Sequence, residues 1–175
     1  MSPGKSSHGS MFRNSGLMGY LVKSLNQKYP DRQIGKTVIQ KMMYMLSRNG
    51  IAEFDFSMYH YGPYSSDVAG ELDFAERNGI VEMRWVDEKG YYIRPTGKAD
   101  ELSILLNDVE KHAVDKLVEQ FGHFKAIDLS LIATALYLKD NFGVKDERLV
   151  DAVHNAKKKY APAYIEGVLK AGGII

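Results

Sequence analysis

The stretch from Ile127 to Leu138 limits more than any other feature how this chain of 175 residues can fold. Its apolar side chains lie almost all round a helix instead of along one stripe: Ile127, Leu129, Leu131, Ile132, Ala135, Leu136 and Leu138. A helix of this kind is covered on several sides by other elements. It is therefore either the central helix of the core or part of an interface between two copies of the chain, and the sequence leaves both explanations open.

Apolar periodicity predicts the elements on either side of this helix. Helical spacing predicts helices before it over residues 17–29 and 36–49, and a third that begins at Ser65 or Ser66 as its cap and ends at Asn78. One more amphipathic helix is predicted directly before the 127–138 helix and two after it, and the first of these three has one apolar stripe: Val109, Ala113, Val114, Leu117, Val118 and Phe121. Asn14 or Ser15 can cap the helix over residues 17–29. Strict alternation predicts one strand over 54–61, with His60 on its buried face, and Gly62-Pro63 then breaks the chain.

Two further strands, over 80–86 and 91–94, flank a turn that ends in Gly90 and predict a β-hairpin. Thr96 is placed to cap the helix that follows. The expected fold class is therefore mainly α with a small antiparallel β-sheet. From residue 36 the order is helix, strand, helix, hairpin, helix, which is typical of winged-helix modules. We therefore expect a winged-helix-like core with a C-terminal helical layer.

Residue patterns also predict how the chain divides. Residues 1–13 are rich in Ser and Gly, which is typical of a flexible tail. Residues 14–107 hold the winged-helix-like elements, and residues 108–175 form a helical extension expected to pack on them.

Two motifs resemble a known family. The segment Lys36-Thr37-Val38-Ile39-Gln40-Lys41-Met42-Met43-Tyr44-Met45-Leu46 resembles the lysine- and glutamine-containing helix of the Panacea domain, the SocA-type antitoxin family. The segment Tyr59-His60-Tyr61-Gly62-Pro63-Tyr64 resembles the Tyr-Gly-Pro turn of that family at about the expected distance. The resemblance covers residues 17–100. It implies a helical domain with a small wing that binds protein and neutralises a toxin encoded beside it.

Composition excludes several classes of function. The chain has no cysteine, which excludes disulfides, thiolate metal sites and a cysteine nucleophile, and which fits a cytoplasmic protein. It has no run of about 18 apolar residues, so no membrane span is expected. The net charge of +1 predicts no partner from whole-chain electrostatics.

The tyrosines around the Gly62-Pro63 turn are the best candidates for a partner-binding surface. Tyrosine is enriched in protein interfaces, and an acidic helix follows the turn directly. The predicted partner-binding residues are Tyr59, Tyr61, Gly62, Pro63, Tyr64, Asp67 and Glu71. The expected function is a non-enzymatic, antitoxin-like module that docks on a partner protein.

DNA binding by a homodimeric winged-helix regulator is the alternative function. The third helix is the element that would approach the DNA phosphates, and it carries four carboxylates and only one arginine. Its net negative charge therefore opposes DNA binding. Basic side chains instead cluster on the first two helices and their linker, where they form either a solvated face or a surface on which an anionic partner docks: Lys23, Lys28, Arg32, Lys36 and Lys41.

No motif predicts catalysis, a metal or a cofactor. Gly35-Lys36-Thr37 resembles the end of a phosphate-binding loop, but Pro30 stands where that loop needs its first glycine. The five histidines show no ligand spacing for a metal. Asp67 and Glu71 share a helical face by their i, i+4 spacing, and a solvated acidic face accounts for them.

Overall fold

The computed structural model describes residues 7–175, with side chains described from Phe12 onward. Over these residues eight α-helices alternate with two separate antiparallel hairpins. The prediction of a mainly α protein with a small antiparallel β content is confirmed. Helix α1 spans Ser7–Lys28 and α2 spans Lys36–Arg48.

The first hairpin pairs β1 (Ser57–Tyr59) with β2 (Gly62–Tyr64), so that Tyr59 lies opposite Gly62. Helix α3 (Ser66–Arg77) follows, and the Ser65 hydroxyl caps it by accepting from the Val68 N–H at 3.2 Å. The second hairpin pairs β3 (Val81–Val86) with β4 (Gly90–Pro95), in the place that the sequence predicts.

The rest of the chain is helical. Thr96 caps the next helix, as predicted, by accepting from the Lys98 N–H at 3.2 Å. A 3-10 turn over Ser103–Leu105 follows it. The remaining helices are α4 (Gly97–Leu102), α5 (Asp108–Phe121), α6 (Ala126–Phe142), α7 (Asp146–Ala156) and α8 (Pro162–Ala171).

Helix α6 is the centre of the C-terminal half. Every residue from Leu129 to Leu136 is buried, and the helix packs against α2, β2, α7 and α8. Helix α1 packs against α3, α4, α5 and β4. The buried side chains of both halves form one cluster, so α6 is covered within a single chain.

Three predictions about local structure are wrong. Gly62-Pro63 does not break the sheet but begins β2, because Gly62 takes a φ of 99° and an edge strand tolerates proline. The alternation that put His60 on the buried face ends at the turn, and His60 is exposed. Val109, predicted inward, is 70% exposed at the start of α5.

The first helix begins before the predicted cap at Asn14 or Ser15. Residues 7–13 belong to α1 instead of to a tail, whereas residues 1–6 of the predicted tail lie outside the described part of the chain. Phe12 packs near the ring of Phe74 on α3, with centroids 6.0 Å apart, and Arg13 pairs with the buried Glu110 of α5. Tertiary packing therefore extends the helix through a segment whose composition is typical of a tail.

None of the helices within residues 7–175 combines the length and the apolar content that a membrane crossing requires.

Candidate functional site

Two tyrosines stand out on the β1–β2 unit, residues 57–64, which we call the tyrosine hairpin. The side chain of Tyr59 is 62% exposed and that of Tyr61 is 71% exposed. Tyr64 is half-buried, with its ring centroid 5.3 Å from that of Tyr59. The turn therefore presents two aromatic side chains to solvent, and the ring of the third packs near that of Tyr59.

The base of the tyrosine hairpin is wedged into the core. Gly62 and Pro63 are buried between α2 and α6. A Cβ atom on Gly62 would lie 2.8 Å from the Thr134 hydroxyl oxygen and 3.2 Å from the Ser130 carbonyl oxygen. These two residues, predicted as partner-binding, thus set the position of the turn and do not offer a surface of their own.

Lys41 of α2 holds the turn from beneath. Its side chain is 2% exposed, and its ammonium donates a hydrogen bond of 2.8 Å to the Pro63 carbonyl. The ion pairs found within residues 12–175 all involve other side chains. Burial, together with the charge of Lys157, lowers the pKa of Lys41 to about 8.

This position corrects the prediction that Lys41 belongs to a basic surface. The signal was present in the sequence, because Lys41 follows Val38 by three residues and precedes Met45 by four. That spacing puts its side chain on the apolar face of the helix.

Two further side chains fix the hairpin from opposite sides. The Gln40 amide bonds the Ser65 backbone twice, accepting from its N–H at 3.0 Å and donating to its carbonyl at 2.8 Å. The Lys157 ammonium, at the end of α7, donates to the His60 carbonyl at 2.6 Å, and burial lowers its pKa. The two motifs that carry the family resemblance therefore contact each other directly.

A narrow groove adjoins the hairpin between α2 and α3. It encloses about 240 Å³, and its lining combines apolar residues with two charged ones. The lining residues are Lys36, Ile39, Gln40, Tyr64, Val68, Ala69, Leu72 and Asp73. A groove of this size admits one side chain of a partner.

The acidic residues of α3 differ in their exposure. Asp67 is exposed, whereas Glu71 is half-buried and accepts a hydrogen bond of 3.4 Å from the Ser15 hydroxyl of α1. Burial raises the pKa of Glu71, and the nearby charge of Asp67 raises it further. Asp67 and Asp73 thus remain exposed on α3, and Asp73 also lines the groove, whereas Glu71 is bonded to α1.

The predicted basic surface is divided into separate places. Lys23 pairs with Asp100 of α4, Lys28 is exposed at the end of α1, and Lys41 is buried. Arg32 and Lys36 instead line a cleft together with residues from β3, β4 and α6, which lie far from them in the sequence.

A metal site finds no support in the described residues. Among them, no three histidine, aspartate or glutamate side chains converge in the way that a metal ion requires.

Comparison with known proteins identifies no relative, since no protein-family model and no curated protein matches the chain. The family resemblance therefore depends on the two motifs alone.

Proposed function

We propose that this chain is a non-enzymatic protein-binding module that acts in the cytoplasm and docks on its partner through the tyrosine hairpin. One observation carries the proposal. Tyr59 and Tyr61 are 62% and 71% exposed on a turn whose base is buried and held by hydrogen bonds from Lys41, Gln40 and Lys157.

A fixed turn with exposed tyrosines suits binding for a physical reason. Each tyrosine contributes a large contact area while losing the freedom of only two side-chain torsions. Because the backbone of the turn is already held in place, little further conformational entropy is lost when a partner docks. The adjoining groove supplies the recessed pocket that an anchoring side chain of the partner would fill.

The charges beside the hairpin indicate the character of the partner. Asp67 and Asp73 are exposed on α3, and Asp73 lines the groove together with Tyr64. We propose a partner that brings basic side chains to this face, since complementary charge speeds association and selects the partner. The Panacea-like motifs favour a toxin as that partner, neutralised when its surface is covered.

The test uses the protein encoded beside this chain, purified and also expressed inducibly in a bacterial host. We expect the intact chain to form a complex with this protein that co-elutes in size-exclusion chromatography. In the host, we expect the protein encoded beside the chain to inhibit growth, and co-expression of the intact chain to restore it. The double variant Tyr59→Ala, Tyr61→Ala is expected to lose both effects. Phe142→Ala is the matched control, because Phe142 is an equally exposed aromatic, at 70%, near the end of α6.

Either of two results would contradict the proposal. The first is that the double variant binds and protects as well as the intact chain. The second is that the intact chain binds duplex DNA with an affinity that falls steeply with salt, which would favour the regulator instead.

A further inference from the structure

A cleft of about 660 Å³ lies on another part of the surface, where the starts of α2 and α6 face the β3–β4 hairpin. Four of its lining residues are cationic, and none is acidic. The cations are Arg32 from the α1–α2 linker, Lys36 from α2, Lys89 from the β3–β4 turn and Lys125 from the residue before α6. We call this feature the basic cleft. It shares only Lys36 with the groove beside the tyrosine hairpin.

The four cations have no carboxylate partners within residues 12–175, where every ion pair involves other side chains. Like charges gathered around one concave space repel each other, and none of the four is neutralised by an ion pair with a described side chain. An anionic ligand would offset that repulsion. The volume is in the range of small-molecule sites, which measure roughly 300–1,000 Å³.

Aromatic and apolar side chains share the cleft with the cations. Trp85, the single tryptophan of the chain, is 57% exposed, and its ring centroid lies 5.0 Å from that of Tyr91. The Lys36 ammonium lies 4.3 Å from the centre of the Tyr91 ring. Ile127 adds an apolar side chain that is 49% exposed. A ligand that matches this lining has both an anionic group and a flat, weakly polar one.

The walls of the cleft are held in position before any ligand arrives. The Gln33 amide donates to the Lys89 carbonyl at 2.7 Å and to the Tyr91 carbonyl at 3.0 Å. The Ile93 N–H donates to the Ile34 carbonyl at 2.8 Å, which joins β4 to the α1–α2 linker. The α1–α2 linker, which carries Arg32 and leads into Lys36, is therefore joined to the hairpin that carries Trp85 and Tyr91.

We propose that the basic cleft binds a free nucleoside phosphate. Its phosphate lies among Lys36, Lys125 and Arg32, and its base stacks on the exposed face of Trp85. Stacking of a base on an aromatic side chain and phosphate contacts from lysine and arginine are the two interactions that nucleotide sites combine. Inorganic phosphate would leave the aromatic pair unused.

A single nucleotide fits better than a nucleic-acid strand. The cations surround one compact space and do not extend along a track. Beside that space, Asp87 accepts a hydrogen bond of 3.0 Å from the Trp85 indole N–H, and Glu88 follows it in the turn. These two carboxylates oppose the passage of a long polyanion out of the cleft.

Isothermal titration calorimetry on the full chain, with Trp85 fluorescence as a second readout, tests the proposal. We expect ADP to bind with a Kd below about 1 mM, to quench Trp85, and to bind at least about tenfold more tightly than adenosine or inorganic phosphate. Lys36→Ala with Lys125→Ala is expected to weaken ADP binding by about tenfold or more, and Lys36→Arg with Lys125→Arg to retain it. The matched control is Lys116→Ala with Lys145→Ala, two exposed lysines that do not line the cleft.

Four results would overturn the proposal. They are no heat and no quenching with ADP at millimolar concentration, equal binding of inorganic phosphate and ADP, equal loss of affinity in the control pair, or binding of a thymidine oligonucleotide without binding of ADP. Circular dichroism of each variant verifies that the fold is intact, so that a loss of binding reports on the cleft.

Discussion

Replacing Lys41 by methionine provides a direct test of the reasoning about the tyrosine hairpin. Methionine has nearly the same length and volume but no charge. The change removes a buried ammonium whose hydrogen bond is to the Pro63 carbonyl, and whose pKa is lowered to about 8 by burial and by the charge of Lys157. Its effect on stability therefore depends on pH.

The sign follows from the number of protons bound in each state. In the unfolded chain Lys41 keeps its proton up to its ordinary pKa of 10.5, whereas in the folded protein it loses the proton near pH 8. Between these two values the unfolded state binds more protons, so the free energy of unfolding rises with pH. Below pH 8 both states are protonated, and the folded state carries the full unfavourable term of about 3 kcal/mol.

The magnitude over an accessible range is smaller. From pH 7 to pH 9.5 Lys41 loses its proton in the folded protein, so part of the cost of its buried charge disappears. The free energy of unfolding therefore rises by about 2 kcal/mol over this range. The range ends there because burial raises the pKa of Tyr20 to about 12 and also raises that of Tyr44. Above about pH 10 tyrosines of this kind ionise in the unfolded chain but stay protonated in the folded protein. The free energy of unfolding then falls as the pH rises.

Urea unfolding followed by far-UV circular dichroism at several pH values measures the effect. We expect the stability of the intact chain relative to Lys41→Met to rise by about 2 kcal/mol between pH 7 and pH 9.5, which corresponds to roughly 4–8 °C in Tm. At pH 7 the two proteins are expected to differ by less than about 1.5 kcal/mol. The substitution removes the buried charge, which stabilises the folded state. It also leaves the Pro63 carbonyl without its hydrogen-bond donor, which destabilises the folded state, so the two effects oppose each other.

The matched control is Lys116→Met, an exposed lysine whose replacement is expected to give a difference that does not change with pH. A difference between the intact chain and Lys41→Met that is equally flat would refute the reasoning. It would mean that the Lys41 ammonium is solvated and does not hold the turn from within the core.

Three other substitutions probe the packing around the hairpin and are measured by urea unfolding. Gly62→Ala is expected to lower the free energy of unfolding by about 2–4 kcal/mol, because it adds strain at a φ of 99° and places a Cβ atom 2.8 Å from the Thr134 hydroxyl oxygen; an unchanged stability would show that the turn is not wedged there. Thr134→Val is expected to raise it by about 1 kcal/mol, since the Thr134 hydroxyl is buried without a hydrogen-bond partner; a clear loss would mean that the hydroxyl is bonded. Leu131→Ala is expected to lower it by about 3–5 kcal/mol, because this side chain of α6 is completely buried; a loss below about 1 kcal/mol would place α6 outside the core.

Local signals explain what the sequence predicted correctly. The cap at Ser65, the cap at Thr96 and the turn that ends in Gly90 between β3 and β4 all act within a few residues, so their outcome is visible in the pattern itself. Helix α6 was equally predictable as a covered helix, although its neighbours were not.

Features that depend on distant residues were missed. The basic cleft joins Arg32 and Lys36 to Lys89 and Lys125, which lie far along the chain on other elements. The turn of the chain into β2 at Gly62 likewise depends on packing against Thr134 of α6. Such contacts leave no periodic trace, and only the assembled fold brings these residues together.

Two energetically unfavourable features and a turn that requires glycine meet beneath the two exposed tyrosines. Lys41 is a buried cation without a carboxylate partner among the described residues, Gly62 has a backbone conformation that few residues adopt, and the Thr134 hydroxyl is unpaired. Methionine at 41 and valine at 134 would avoid two of them at similar volume. Natural sequences tolerate such departures from the most stable choice chiefly where a site requires a particular geometry. Their concentration under one turn therefore supports, independently of the exposure of the tyrosines, the proposal that the tyrosine hairpin is a partner-binding site.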